Sequence, residues 1–223
     1  MQRDLRDSEL YESRFKIKER KSNVRFFTVL FALFICFFAL RSWWTNSYGG
    51  VIVDGNSMRK TLTDGEQLLM RYTDKKHKAN RGDIIVVYVG GYEECASVNG
   101  DFLIKRLIAI EGDKVRCTDG QIEIEYAGGG ENDWVKLSEP YAYYGVGNAY
   151  KTAYDFQEYA VGKGEIFFLG DNRSGKGSSV DSRYHDFPNG SHLQDRLYKE
   201  TDIYGVVPEW ALEYKQILAK IFF

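Results

Sequence analysis

Residues 24–40 read VRFFTVLFALFICFFAL, seventeen residues whose one charge is Arg25. Few environments accept such a run. Its apolar side chains would cover every face of a helix, whereas a soluble core covers one stripe. In lipid a helix satisfies its backbone hydrogen bonds internally, so an all-round apolar surface suits it there. Seventeen residues is at the short end for a span, but Arg25 can snorkel, and Trp43, Trp44 and Tyr48 follow where aromatic rings favour the interface. Lys16, Lys18, Arg20 and Lys21 precede the run. That basic flank predicts a cytoplasmic N-terminus and an exported body. A buried core helix is the bland alternative. A cleaved signal peptide fits less well, because Arg41-Ser42-Trp43-Trp44 follows instead of small residues. The expected organisation is a charged cytoplasmic segment over 1–22, a transmembrane anchor over 23–44, a β body over 45–207 and a C-terminal helix over 208–223.

After residue 45 the chain reads as short strands. Residues 51–53, 67–72, 83–89, 102–110, 114–117 and 121–126 are rich in Val, Ile, Leu and Tyr. Asp64-Gly65, Arg81-Gly82-Asp83, Glu111-Gly112-Asp113 and Asp119-Gly120 punctuate them. This pattern predicts a mainly β body. Asp119-Gly120 reads as a two-residue hairpin turn. Residues 127–164 are Gly- and Tyr-rich and weakly periodic, which suggests a small inserted subdomain, bounded at about 119–164. Residues 165–169 and 203–207 return to strand pattern. Pro208 then opens an amphipathic helix with Trp210, Tyr214, Ile217, Leu218 and Ile221 at helical spacing. Packing against the β body is its simplest role, and lying on a membrane surface is the other.

A net charge of -2 over 223 residues argues against nucleic acid as a partner. Cys36 lies in the apolar run, while Cys95 and Cys117 would face an oxidising compartment and could pair. Sequence alone does not bring them within bonding distance.

Two pieces of the body suggest chemistry. Ser57 follows Gly55-Asn56 after a strand, so a tight turn would expose its hydroxyl and nearby N–H groups that can hold an oxyanion. Lys105 sits in the run FLIKRLIAI. In an extended strand Leu103, Lys105, Leu107 and Ala109 share one face, and Phe102, Ile104, Arg106, Ile108 and Ile110 the other. Lys105 is then the one polar group on an apolar face. Desolvation there disfavours the ammonium, which is what a lysine general base needs to take a serine proton. Taken alone, a turn serine and a strand lysine that snorkels to water are ordinary features. A third stretch, Gly170-Asp171-Asn172-Arg173 and then Ser179-Val180-Asp181-Ser182-Arg183, reads as a polar loop. Ser179 or Ser182 could orient the lysine there, and Asp181 could pair with Arg183.

Together these stretches carry a resemblance. Asp54-Gly55-Asn56-Ser57-Met58 with Thr61-Leu62, then residues 81–87, then Lys105-Arg106-Leu107-Ile108-Ala109 with Gly112-Asp113, and then the 170–183 stretch occur in that order. In order and content they resemble the catalytic-domain boxes of bacterial type I signal peptidases, and the N-terminal anchor resembles that family too. The resemblance implies a signal-peptidase-like β catalytic domain and a Ser–Lys endopeptidase outside the plasma membrane. Its substrates would be secretory precursors with small residues at the first and third positions before the cut, and its other partner the lipid bilayer. Ser57 would be the nucleophile and Lys105 the general base. The Ser57 N–H would help hold the oxyanion, and Ser179 would orient Lys105. Met58, Arg106, Asp171, Asp181, Ser182 and Arg183 would support or shape the site. No metal or organic cofactor is implied.

Four departures from the family pattern stand out. Lys60 replaces a proline three residues after the serine. Asp54 stands where some members have a serine that donates to the oxyanion, and an ionised aspartate cannot donate. Glu111 replaces a proline before Gly112. Residues 174–178 lengthen the loop before Ser179 by three, so Ser178 could take the orienting role. Two other readings compete. A self-cleaving repressor uses a similar Ser–Lys pair but predicts a DNA-binding module where this chain has its apolar run. A catalytically silent relative acting as an assembly or chaperone factor for surface proteins would be expected to lose Ser57 or Lys105.

Overall fold

The computed structural model describes residues 2–74, 77–92, 101–130, 132–147, 151–175, 181–182 and 198–222. Cys95, Ser178, Ser179 and Arg183 lie outside the described residues. The chain divides into two units, 1–47 and 48–223.

The first unit is one helix, α1 (Gln2–Ser47). It holds the only helix among the described residues that is long and apolar enough to cross a membrane, within Arg14–Ser47. Side chains from Phe26 to Leu40 stay exposed all round it.

The second unit is mainly β. Its strands are β1 (Tyr48–Ile52), β2 (Gln67–Tyr72), β3 (Ile84–Tyr88), β4 (Phe102–Ile110), β5 (Lys114–Thr118), β6 (Gln121–Glu125), β7 (Val135–Lys136), β8 (Phe156–Ala160), β9 (Glu165–Leu169), β10 (Tyr198–Lys199) and β11 (Ile203–Val207). A seven-stranded antiparallel sheet runs β1-β2-β11-β3-β4-β9-β10, and a four-stranded one runs β7-β6-β5-β8. The β5–β6 hairpin turns on Asp119 (φ 51°) and Gly120 (φ 71°), with Thr118 opposite Gln121. Two positive φ values are what a type I′ turn requires, as the Asp-Gly pair predicted.

Strand β4 lies between β3 and β9 and is shared by two cores. Ile85, Val87, Leu103, Leu107, Phe168 and Tyr198 form part of one. Ile108, Ala109, Val115, Ile122, Ile124, Phe167 and Leu169 form part of the other, where β5 and β6 meet β4 and β9. A β-bulge between Leu107 and Ala109 makes this division possible. It corrects the simple alternation expected from sequence. Ala109 leaves the face of Leu103, Lys105 and Leu107 and joins the second core, while Ile110 packs against the first. One extra residue reverses every side chain beyond it.

The C-terminal helix also needs correction. It is two helices, α2 (Glu209–Glu213) and α3 (Lys215–Phe222), separated at Tyr214, whose φ of -100° and ψ of 16° leave the helical region. The expected apolar stripe does not pack inward either. Ala211 is fully buried, whereas Trp210, Tyr214, Ile217 and Ile221 are exposed.

Candidate active site

Ser57 ends the turn that follows β1. Val53 still pairs with the chain before β2, its N–H donating to the Glu66 carbonyl at 2.9 Å. Gly55 then takes φ +83°, and its N–H donates to Asp64 Oδ1 at 2.8 Å. The next turn closes on Met58, whose carbonyl accepts from Thr61 N–H at 3.1 Å and Leu62 N–H at 2.9 Å. Met58 is 1% exposed and Ser57 8%. Asp54 is exposed at the lip of this turn.

Lys105 is 1% exposed. It stands opposite Ile85 in the β3–β4 pairing, on the face where Ile85, Leu103 and Leu107 form the first core. Its neighbours on that face of the strand pair are apolar. On the other side Arg106 is opposite Leu169 and Leu107 opposite Phe168. One step further along that register, Lys105 falls opposite Gly170. Opposed residues in an antiparallel pair point to the same face, with Cβ positions about 4.5–5.5 Å apart.

Gly170 connects the two candidate residues. A Cβ at this glycine would lie 2.5 Å from the Ser57 carbonyl oxygen and 3.5 Å from the Ser57 Cβ. The Ser57 backbone thus rests directly on Gly170, over the sheet face from which Lys105 projects. Only a residue without a side chain permits that approach. Asn172 fixes it further, with its N–H donating to the Ser57 carbonyl at 2.9 Å and its Nδ2 to the Asn56 carbonyl at 3.1 Å. The Ser57 N–H has no acceptor among the described residues.

The opposite face of β4 carries the support. Arg106 Nε and Nη2 donate to Asp171 Oδ1 and Oδ2 at 2.8 and 2.6 Å, and Nη1 donates to the Gly82 carbonyl at 2.6 Å. This fork-to-fork geometry is the strong form of the ion pair. The Arg106 guanidinium also lies 3.8 Å from the Tyr141 ring centroid. Asp171 is fully buried and accepts from Thr61 Oγ1 at 2.5 Å, so one carboxylate joins β4 to the serine turn.

Sequence reasoning missed the neighbouring pair. Arg173 and Glu139 are buried together, with Arg173 Nη1 donating to Glu139 Oε2 at 2.9 Å and Nη2 lying 2.6 Å from Oε1. Arg173 Nε donates to the Gly170 carbonyl at 2.6 Å, so the pair braces the glycine beneath Ser57. Burial alone would lower the Arg173 pKa, but the Glu139 carboxylate outweighs it and raises it. Arg173 belongs to the Gly170-Asp171-Asn172-Arg173 stretch, but nothing in the sequence points to Glu139 as its partner.

Other expected residues fall in different places. Asp181 and Ser182 are buried, and Ser182 is stitched to β9 through Phe168 N–H to Ser182 Oγ (2.9 Å) and Ser182 N–H to the Phe168 carbonyl (3.1 Å). The expected pairing of Asp181 with Arg183 and the orienting serine, Ser179 or Ser178, involve residues outside those described. Glu111, the acid in place of a proline, accepts from Gly164 N–H at 2.9 Å and so links two turns. Cys117 is a buried free thiol in the second core, with Sγ 3.2 Å from Thr152 Oγ1.

Residues 23–208 match the family described as "Signal peptidase, peptidase S26". Signal peptidase I P of Bacillus subtilis subsp. natto is 36% identical over 138 residues, 59% of this chain and 64% of that protein. Signal peptidase I of Bacillus licheniformis is 34% identical over 150 residues, 65% of this chain and 68% of that protein. A crystal structure of a signal peptidase I from Enterococcus faecalis V583 covers 59% of this chain and 98% of its own, at 29% identity and a TM-score of 0.39. The matched stretch thus spans about two thirds of the curated relatives' length, and the family match takes in α1 from residue 23, the Ser57 turn, β4 and residues 170–182. The chain belongs to the signal peptidase family, peptidase S26.

Proposed function

We propose that this chain is a membrane-anchored serine endopeptidase that removes signal peptides from exported precursors. Residues 1–22 lie in the cytoplasm, 23–44 cross the membrane, and the β body carries out cleavage on the outer side. The substrate has small residues at the first and third positions before the cut.

In this mechanism Ser57 Oγ attacks the scissile carbonyl as its proton passes to the neutral Lys105 amine. The backbone N–H of Ser57 donates to the oxyanion that forms. The lysine then protonates the departing amine, and an ester joins Ser57 to the signal peptide. Lys105 next takes a proton from water, which attacks that ester and frees Ser57. Ser179 orients the lysine, with Ser178 as the alternative. Met58, Arg106, Asp171, Asp181, Ser182 and Arg183 hold the shape of the site. Asp54 sits at its lip and adds no donor to the oxyanion.

The observation that carries this reading is the seating of Ser57 on Gly170, over the apolar sheet face that holds the buried Lys105. Purified full-length chain should process a precursor ending its signal peptide in Ala-x-Ala. Ser57→Ala should abolish cleavage and leave the fold intact. Lys105→Met should also abolish it, with little loss of stability, because a neutral side chain suits that site. Cleavage retained by either variant contradicts the assignment.

A further inference from the structure

Part of the Gly- and Tyr-rich stretch 127–164 runs beside the residues that seat Ser57. Tyr143 N–H donates to the Asp171 carbonyl at 2.8 Å, and Arg173 N–H donates to the Tyr143 carbonyl at 2.7 Å. These bonds make Tyr143 and Asn172 an isolated parallel bridge. On the serine side, Lys60 Nζ reaches the Pro140 carbonyl, and the Arg59 guanidinium lies 4.9 Å from the Tyr143 ring centroid. Residues 139–143 therefore touch both the serine turn and residues 171–173.

Glu139 opens this run and is buried, as is Arg173. A buried ion pair adds little net stability over apolar side chains of similar volume, because desolvation offsets the attraction. What it supplies is direction. Gly170 lies one residue beyond Leu169, the last paired position of β9, so the strand ladder no longer fixes it. Its carbonyl accepts from Arg173 Nε at 2.6 Å. The guanidinium is a rigid plane, so the Glu139 carboxylate on its Nη edge sets the aim of Nε. Tyr141 Oη donates to Glu139 Oε1 at 3.1 Å and holds the carboxylate in turn. Without an acid at position 139 the guanidinium is a buried, unpaired charge. It then turns toward water and releases the Gly170 carbonyl.

We propose that Glu139 is a positioning residue for cleavage: it holds Arg173 on Gly170, and Gly170 sets the height of Ser57 above Lys105. The inference rests on the peptidase reading of this site. Glu139 touches neither the substrate nor the reacting atoms in this scheme. It acts through the distance over which Ser57 attacks, so it governs turnover and leaves substrate affinity alone. The stretch 127–164 then belongs to the support of the active site through residues 139–143.

The test compares full-length variants with the parent on an Ala-x-Ala precursor, each at a temperature where circular dichroism shows it folded. Glu139→Gln keeps the shape but cannot accept from both guanidinium nitrogens. It should lower kcat by about 10- to 100-fold, as a serine displaced by up to about 1 Å would, and keep KM within about twofold. A double variant, Glu139→Leu with Arg173→Met, leaves no charge buried without a partner, so its thermal midpoint should return toward that of the parent. Its kcat should stay about 10-fold or more below the parent, because no Nε holds the Gly170 carbonyl. A merely structural pair predicts that kcat recovers with the midpoint. Parental kcat in the double variant or in Glu139→Gln, or a loss confined to KM, overturns the proposal. A parent chain that leaves the precursor uncut sinks the peptidase reading, and the inference with it.

Discussion

Lys60 is the residue whose backbone most sharply distinguishes this chain from the pattern it resembles. It holds φ +84°, third in the turn that Met58 closes by accepting the Thr61 N–H. That position favours Gly or Asn, which reach positive φ easily. A lysine there costs about 1–2 kcal/mol, as any side chain with a Cβ does. Its Nζ reaches the Pro140 carbonyl at 3.4 Å, a weak offset. Proline, the residue expected from the family pattern, is locked near a φ of about -65° and cannot follow this path. Lys60→Pro, though it restores the pattern, should therefore lower the thermal midpoint and reduce processing. Lys60→Gly should raise the midpoint. Parallel melts and processing assays decide the matter, and a Lys60→Pro variant as stable and active as the parent contradicts the turn described.

At the scale of elements, the site is made by a strand end meeting a turn. Gly170 continues β9 by one residue, and Ser57 sits where its side chain would be. Gly170→Ala should push the serine off its seat while leaving the apolar cores untouched. A displacement of about 1 Å can cost roughly 100-fold in rate. Processing should fall by that order, with a much smaller proportional change in the denaturation midpoint. Equal activity would mean that Ser57 need not rest on Gly170.

The same scale shows what sequence made legible. Strands β2, β4, β9 and β11 announce themselves as short runs of apolar, β-branched and aromatic residues, and their observed bounds agree with those runs. Strands β7 and β10 are two residues long, and β8 reads FQEYA with little alternation of burial. Pairing with β6, β9 and β5 creates them, so no local pattern marks them. The bulge in β4 was invisible because one extra residue in an all-apolar run changes no composition. Ser57 and Lys105 stood out by residue type against their surroundings. Gly170 and the pair Arg173–Glu139 did not, because their roles depend on what approaches them through space.

For the whole molecule, groups buried as neutral species set the response to pH. Burial pushes the Cys117 thiol up to about 11. Burial, reinforced by the Glu139 carboxylate, raises Tyr141 above the usual tyrosine range. Their unfolded values are about 8.5 and 10. Both groups hold their protons more tightly when folded, so their contribution is fully present below the unfolded values and is lost as pH rises toward the folded ones. Urea midpoints should fall as pH rises from about 8.5 toward about 11, and a flat profile would contradict the buried, protonated state of these groups. The proposed role of Lys105 requires the opposite sense, with desolvation disfavouring its charged form. The central claim, a Ser57 hydroxyl activated by a water-stripped Lys105 amine, is tested most directly by the pH dependence of kcat/KM for a signal-peptide substrate. The account predicts an acid-side limb well below the ordinary lysine value of about 10, approaching neutrality and absent from the inactive Ser57→Ala chain. A limb near that ordinary value would contradict it.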